Sequence, residues 1–569
     1  MRGGLAKGCL VAALIAVALP VAAQQPVRGP DGRYRMTLPA KTLPRPVQPI
    51  AAPAVTSAPQ PDMQPYVSPI IPLAETPATS GPQPDVIVPI SGGQIGGEAW
   101  SDGTFAFKAV PFARPPIGPL RWTPPQDMPA WRGVRFSQTS APGCLQADYG
   151  WQTKISQASS EDCLYLEIRT PSLSHEAKKP VMVFFHGGAN RAGAGEGTIS
   201  SDLGKRDVVV VTLQYRLGVF GFLSHPALTA ESPNHASGNY ALMDQIKALQ
   251  WVKANIASFG GDPDNVTIFG HSAGGQDVGL MMASPLAHGL FHKAIEESGT
   301  PQFGFAPRTL VQNEMLGIKL AEEFSNNPAD SAKALADLRK TPAMALQQAG
   351  DKLGPAMEDT SFIWDQATID GYVLPRSPAD IFKAGEGAQV PLIIGVSARE
   401  LRLADVSASL YGAIVTRFGD NRHKVMRFYR LDVDKTPKPD EVLGDVAMQL
   451  STDLMLRCPA DWMARQVTAA GKQAWLYQLD IDADPKADVH HGSELSFVFN
   501  DRPKGVKESR WPRLMDYWVQ FARTGDPNRK GLDDWPHYGR KGGYIEFTRK
   551  GSKTEDGMRA DICQLLDRP

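Results

Sequence analysis

The chain has 569 residues, of which 59 are Lys or Arg and 60 are Asp or Glu, for a net charge of −1. That balance leaves no global field to gather nucleic acid or an anionic membrane, so a small substrate without strong charge fits better. The length is far above the size at which burying a core is difficult, and allows more than one domain.

Residues 1–23 read as a secretory signal peptide. Arg2 and Lys7 precede the apolar run from Cys9 to Ala18, and Val21-Ala-Ala23 supplies small residues for cleavage after Ala23. The run is shorter than the roughly 20 residues a membrane span needs, so no stable membrane insertion is expected once it is cut. The mature chain is then expected to be secreted or periplasmic. Its four remaining cysteines, Cys144, Cys163, Cys458 and Cys563, would lie in an oxidising compartment, where an even count suggests two bridges. Residues 24–85 are dense in Pro with Ala, Thr, Ser and Gln, a composition that packs no core and predicts a disordered linker. From residue 86 to 569 strand-like and helix-like runs alternate, as in an α/β domain.

Along that domain, Phe105 to Phe112 is apolar and Leu164 to Ile168 alternates like a half-buried strand. Val181 to Phe185 and Val208 to Leu213 are continuous apolar runs of the kind a parallel sheet buries on both faces. Leu242, Ile246, Leu249, Val252 and Ile256 recur at helical spacing from Tyr240 to Phe259. Val266 to Phe269 reads as a buried strand. Leu290 to Ile295 and the segment from Pro307 to about Lys352 read as helical, while Pro391 to Gly395 and Trp475 to Leu479 are further buried strands. The pattern predicts a large, mostly parallel central sheet flanked by helices, with a helical cap region between about 305 and 390.

The strand at Val266 runs into Gly270-His-Ser-Ala-Gly274, a G-x-S-x-G elbow in which a strained turn lifts the Ser272 hydroxyl clear of the sheet. A serine hydroxyl is a poor nucleophile until a histidine takes its proton, and that histidine requires a carboxylate to orient it. His288, His292, His423, His490, His491 and His537 all follow Ser272, and spacing alone does not choose among them. His491-Gly-Ser-Glu494 has a loop glycine and a helix entry suited to a catalytic base. Glu400 follows the strand ending at Gly395, at the sheet edge where ligands gather. His186-Gly-Gly-Ala189, directly after the Val181 strand, suits a loop of backbone N–H donors for an oxyanion. His186 itself reads as a core residue holding that loop.

Several motifs in order complete the pattern: Val110-Pro-Phe-Ala-Arg-Pro-Pro-Ile-Gly-Pro-Leu-Arg-Trp122, Glu161-Asp-Cys-Leu-Tyr-Leu166, Tyr215-Arg-Leu-Gly-Val-Phe-Gly-Phe-Leu223, Gly238-Asn-Tyr-Ala-Leu-Met-Asp-Gln245 and Leu290-Phe-His-Lys-Ala-Ile-Glu-Glu-Ser-Gly299. With the elbow, Glu400 and His491, they make residues 86–569 resemble a type-B carboxylesterase, the family that includes cholinesterases. The resemblance implies an α/β-hydrolase fold, a small-molecule ester substrate and an acyl-enzyme intermediate. It implies Ser272 as nucleophile, Glu400 as acid, His491 as base, and the N–H groups of Gly188, Ala189 and Ala273 as the oxyanion hole, with no cofactor or metal. It also pairs Cys144 with Cys163 and Cys458 with Cys563. Trp151, inside the first of these loops, is expected to be a packed aromatic.

The chain departs from the family pattern in places. His271 stands where the family usually carries Glu, which argues against choline esters. Ala189 replaces a common Gly, and Glu167 a common Asn. An amidase or carbamate hydrolase would share the same machinery, and a non-catalytic adhesion protein would share the scaffold.

Overall fold

The computed structural model describes residues 83–566 except 302–306, 354–365 and 433–436, together with Val27–Arg28 and Tyr34–Arg35. The leader 1–23 and nearly all of the Pro-rich stretch lie outside these residues. The chain divides into units Met1–Thr79 and Ser80–Pro569. In the first, Val27–Arg28 pairs antiparallel with Tyr34–Arg35.

The second unit is built on a 13-stranded sheet. Its strands are β1 (Val86–Ile90), β2 (Gly93–Ala99), β3 (Phe105–Pro111), β4 (Val134–Arg135), β5 (Tyr165–Thr170), β6 (Lys179–Phe185), β7 (Val209–Leu213), β8 (Gly261–His271), β9 (Lys293–Glu297), β10 (Leu392–Ser397), β11 (Ala474–Leu479), β12 (Gly543–Thr548) and β13 (Gly551–Asp556). The spatial order is β13-β12-β11-β10-β9-β8-β6-β7-β5-β3-β2-β1, with β4 beside β2. From β7 to β12 every pairing is parallel; β5, β3, β2 and β1 continue the sheet antiparallel at one edge and β13 closes the other.

Alternate residues of the parallel strands face opposite layers, as the pleat requires. Val181, Val183, Phe185, Val266, Ile268, Leu392 and Ile394 belong to one apolar cluster. Met182, Phe184, Phe269, Ile393, Trp475 and Tyr477 belong to the other. The helices that carry the argument are α1 (Tyr240–Asn255), α2 (Ala273–Ala283), α3 (Leu310–Phe324), α4 (Ser331–Lys340), α5 (Ala343–Lys352), α6 (Cys458–Ala469), α7 (Ser493–Phe499), α8 (Leu514–Thr524) and α9 (Ala560–Leu566). Helices α1 and α2 cover the first face through Leu242, Leu249, Val252, Val278 and Met281. Helix α8 covers the second through Trp518 and Phe521.

Three expectations are corrected. Leu290 to Ile295 is not helical, because Lys293–Glu297 forms β9 between β8 and β10. Helix-favouring Lys, Ala and Glu are overridden there by two parallel neighbours. Strand β5 is not half-buried: Glu167 and Arg169 are both buried on it, and Arg169 donates to the carbonyls of Ile199 and Ser201 as well as to Asp102. Trp151 is exposed, not packed.

The two cystines form as Cys144–Cys163 and Cys458–Cys563. Arg121, from the Pro-rich motif, makes a two-pronged ion pair with Glu161 at 2.7 Å on both oxygens. It also donates to the carbonyls of Leu338, Arg339 and Thr341 at the end of α4, where helix carbonyls lack intrahelical partners. A π-turn at Asp453–Arg457 precedes α6. Its Arg457 pairs with Asp453 and donates to the Ala398 carbonyl at 2.7 Å, bracing the loop after β10. Cys458, next in sequence, ties this brace to α9.

Replacing Cys458 and Cys563 together with Ser is expected to lower the unfolding free energy by about 2–5 kcal/mol, because the bridge closes a long loop. The shift of the urea midpoint against the intact protein measures it, and a midpoint that does not move would contradict the bracing role.

Candidate active site

The loops that follow β6, β8, β9, β10 and β11 leave the carboxyl edge of the sheet, the side on which open α/β folds gather ligands. Ser272 lies at the tip of the β8 turn with φ 58° and ψ −124°, a conformation that non-glycine residues hold only when packing enforces it. The enforcement is visible. A Cβ at Gly274 would lie 2.0 Å from the Phe185 carbonyl oxygen, so no other residue fits this crossing of α2 over β6. The Ser272 amide is fixed by the Glu297 carbonyl at 2.9 Å, while its side chain is only partly covered.

The loop after β6 presses against this turn: a Cβ at Gly187 would come within 3.1 Å of the Ser272 Cβ. Gly188, Ala189 and Asn190 all have positive φ. The loop is held from both sides, by Tyr215 Oη donating to the His186 carbonyl at 2.6 Å and by the Gly218 amide donating to the Asn190 carbonyl at 2.8 Å. His186 is buried and stacked on Tyr215 with ring centroids 4.4 Å apart. Burial pulls its pKa down to about 4, which keeps it uncharged at neutral pH. Ala273 opens α2, where the first amides of a helix have no intrahelical acceptor.

Among the described residues, His491 is the histidine after Ser272 that meets Glu400: Nδ1 lies 2.5 Å from Oε2. His292 accepts from the Val266 amide midway along β8, and His537 packs on Trp475 near the start of β11, both away from the carboxyl ends of these strands. His288 and His423 are exposed, and His490 turns to Asp482 at 3.2 Å. Among the described residues, Nε2 of His491 has no hydrogen-bond partner. Burial lowers the pKa of His491, but the Glu400 charge and its hydrogen bond outweigh that and leave it raised above 6.5.

Glu400 is itself held by the Ser397 amide and Ser298 Oγ, both 2.7 Å from Oε1, and its own amide donates to Thr452 Oγ1 at 3.1 Å. Ser298, another non-glycine residue at positive φ, also contacts Oε1 of Glu494. Ser397 Oγ reaches the second Glu494 oxygen at 3.0 Å. Burial pushes the Glu494 carboxyl up, and the Glu400 charge adds to the shift. Beneath them Glu297 is pushed well above the carboxylate range by burial and accepts from Trp518 Nε1.

Glu494 and Ser298 lie within recognisable motifs that assign them no part, and Asp277, Ser397 and Thr452 lie outside any motif in the sequence. Asp277, on α2 directly behind the elbow, accepts from Asn190 Nδ2 at 3.2 Å and Gln245 Nε2 at 2.5 Å. It therefore ties the loop after β6 to α1 and α2. Burial raises its carboxyl to about 7, against the pull of these two donors. A lone Asp in a helix whose described face is otherwise apolar was the available signal.

A family model described as "Carboxylesterase family" matches residues 84–566. Liver carboxylesterase 1 of Oryctolagus cuniculus is 32% identical over 510 residues, covering 81% of this chain and 88% of that protein. Fumonisin B1 esterase of Sphingopyxis macrogoltabida is 33% identical over 478 residues, with 79% and 84% covered. Among solved structures, PNB esterase superposes with a TM-score of 0.69 at 29% identity, covering 84% of this chain and 99% of that one. A carboxylesterase of Geobacillus stearothermophilus gives 0.68 at the same identity and coverage.

Asp277→Ala strands two buried amide donors and is expected to cost about 1–3 kcal/mol for each. Asp277→Asn, which keeps an acceptor oxygen, should cost less than half as much. Urea denaturation of the two variants checks the ordering.

Proposed function

The chain belongs to the carboxylesterase family and is a serine carboxylic-ester hydrolase of α/β-hydrolase fold, and from that premise we propose that it works through an acyl-enzyme on Ser272, with His491 as base and Glu400 as the acid that orients it. In this reading Nε2 of His491 removes the Ser272 proton as the hydroxyl attacks the ester carbonyl. The N–H groups of Gly188, Ala189 and Ala273 receive the oxyanion, in a loop and helix end already locked by packing. His491 then protonates the departing alcohol, activates a water against the acyl-enzyme, and returns the proton to Ser272. Glu400 fixes the tautomer with the proton on Nδ1 and balances the imidazolium.

The observation that supports this most is the 2.5 Å contact between His491 Nδ1 and Glu400 Oε2, on a ring whose Nε2 has no partner among the described residues. The substrate is a small-molecule carboxylic ester. Residues 1–23 are proposed to direct export and residues 24–85 to serve as a linker, a reading supported by two cystines of the kind an oxidising compartment maintains. No helix among the described residues is long and apolar enough to cross a membrane.

Ser272→Ala is expected to lower kcat by on the order of 10⁶ with the circular dichroism spectrum unchanged, and retention of a tenth of the activity would refute the nucleophile. The base works when deprotonated and its pKa is raised, so kcat/KM should climb with pH through a midpoint above 6.5 and fall away below it. A p-nitrophenyl ester assayed from pH 5 to 9 reads that midpoint, and a flat profile would remove His491 from the role. Matched aryl ester and anilide substrates test the ester preference directly.

A further inference from the structure

His271 does not stand alone before the nucleophile. Its ring packs against His491 with centroids 4.6 Å apart and planes inclined by 43°. On its other side Nε2 lies 3.7 Å from Oε1 of Glu494. Gly492, directly after His491, has φ 94°, a conformation that favours glycine, and its Cα–H side lies in ordinary contact range of the His271 ring, where a Cβ would sit 3.4 Å away. His271 is buried, and Nε2 has no hydrogen bond among the described residues.

The charge state of the cluster follows from counting protons. Ser298 Oγ lies within hydrogen-bond distance of a carboxyl oxygen of Glu400 and of Glu494. A hydroxyl carries one proton and satisfies one of them as donor, so the second contact requires a proton on a carboxyl group. Glu400 accepts from the Ser397 amide and lies against His491 Nδ1–H, so it is the ionised member. Glu494 is then the acid that donates to Ser298, which donates to Glu400. The other titratable groups facing this layer are Glu297, paired in register with His271 across β8 and β9, and Tyr477, buried near Glu297, Glu400 and Glu494. Burial pushes both toward their uncharged forms.

We propose that His271 is a positioning residue for the catalytic base: an uncharged imidazole wedged between His491 and a protonated Glu494, it seats the His491 ring on Glu400 and leaves Glu400 as the one carboxylate charge beside it. Burial and the neighbouring His491 both hold the pKa of His271 well below 6.5, in keeping with a neutral wedge. A carboxylate at this position, the usual residue of the resembling family, would put a second negative charge against the base and make its proton harder to remove.

The inference rests on His491 being the base and is tested on the full chain by kcat/KM against pH. His271→Glu is expected to raise the midpoint by about one to two pH units. His271→Gln, uncharged like the native ring, should leave the midpoint within about 0.3 unit and lower kcat roughly 3- to 10-fold with KM near the native value, because the base loses its lateral support. Glu494→Gln should likewise leave the midpoint in place, since the native group is already neutral. A His271→Glu midpoint that does not move, a His271→Gln kcat equal to the native one, or a Glu494→Gln midpoint lowered by a unit or more would overturn the inference. If His271→Glu does not fold, the other two variants decide it. Any of these outcomes with fluorophosphonate labelling of Ser272 intact counts against the wedge alone. Loss of labelling in the native protein counts against the nucleophile.

Discussion

The site depends on one steric constraint, the crossing of α2 over the end of β6. Backbone meets backbone there so closely that Gly274 has no space for a side chain. The turn between β8 and α2 is consequently forced into positive φ at Ser272, and the same closeness presses Gly187 onto the Ser272 Cβ. Strain of this kind persists only where surrounding structure over-determines it. Here the parallel register of β6, β8 and β9 supplies that, with the Glu297 carbonyl pinning the Ser272 amide. One contact thus places the hydroxyl, aligns the first amides of α2 and seats the loop after β6 beside them.

The acidic layer beneath His491 follows a different economy. Glu297, Glu400 and Glu494 come from three separate segments of chain and are all buried. Three carboxylates so placed would repel one another strongly in a medium of low dielectric. Burial pushes the Glu297 and Glu494 carboxyls toward their neutral forms, which eases that repulsion, and Ser298 and Ser397 hydrogen-bond to the carboxyls of Glu400 and Glu494. Glu400 keeps the charge, and its charge faces His491.

The outer motifs serve the same edge from a distance. Arg121 clamps Glu161, beside Cys163, to the end of α4. Tyr149, within the Cys144–Cys163 loop, donates to Asp351 on α5 at 2.6 Å. Arg457 and the Cys458–Cys563 bridge brace the loop that presents Glu400. Each joins segments far apart in sequence and leaves the central strands free to be almost wholly apolar.

The sequence by itself determined the elbow, the apolar strands at Val181, Val208, Pro391 and Trp475, and the glycine-rich loop at His186. These features are local: a pleat's two-sided burial and a turn that only glycine tolerates are written in consecutive residues. Spacing left six histidines open, and His491 was singled out by its loop glycine and the family resemblance; what the fold adds is the contact itself, since β11 and the loop behind it bring His491 to a carboxylate 91 positions earlier. The sequence misread Leu290 to Ile295 because the helical preference of Lys, Ala and Glu is a weaker force than the pairing of β9 on both sides. It also did not reveal that His271 and Glu494, 223 residues apart by number, would meet beside His491. Which charges share a buried space, and which of them must keep a proton, is a property of three-dimensional proximity in a low dielectric, and no local pattern encodes it.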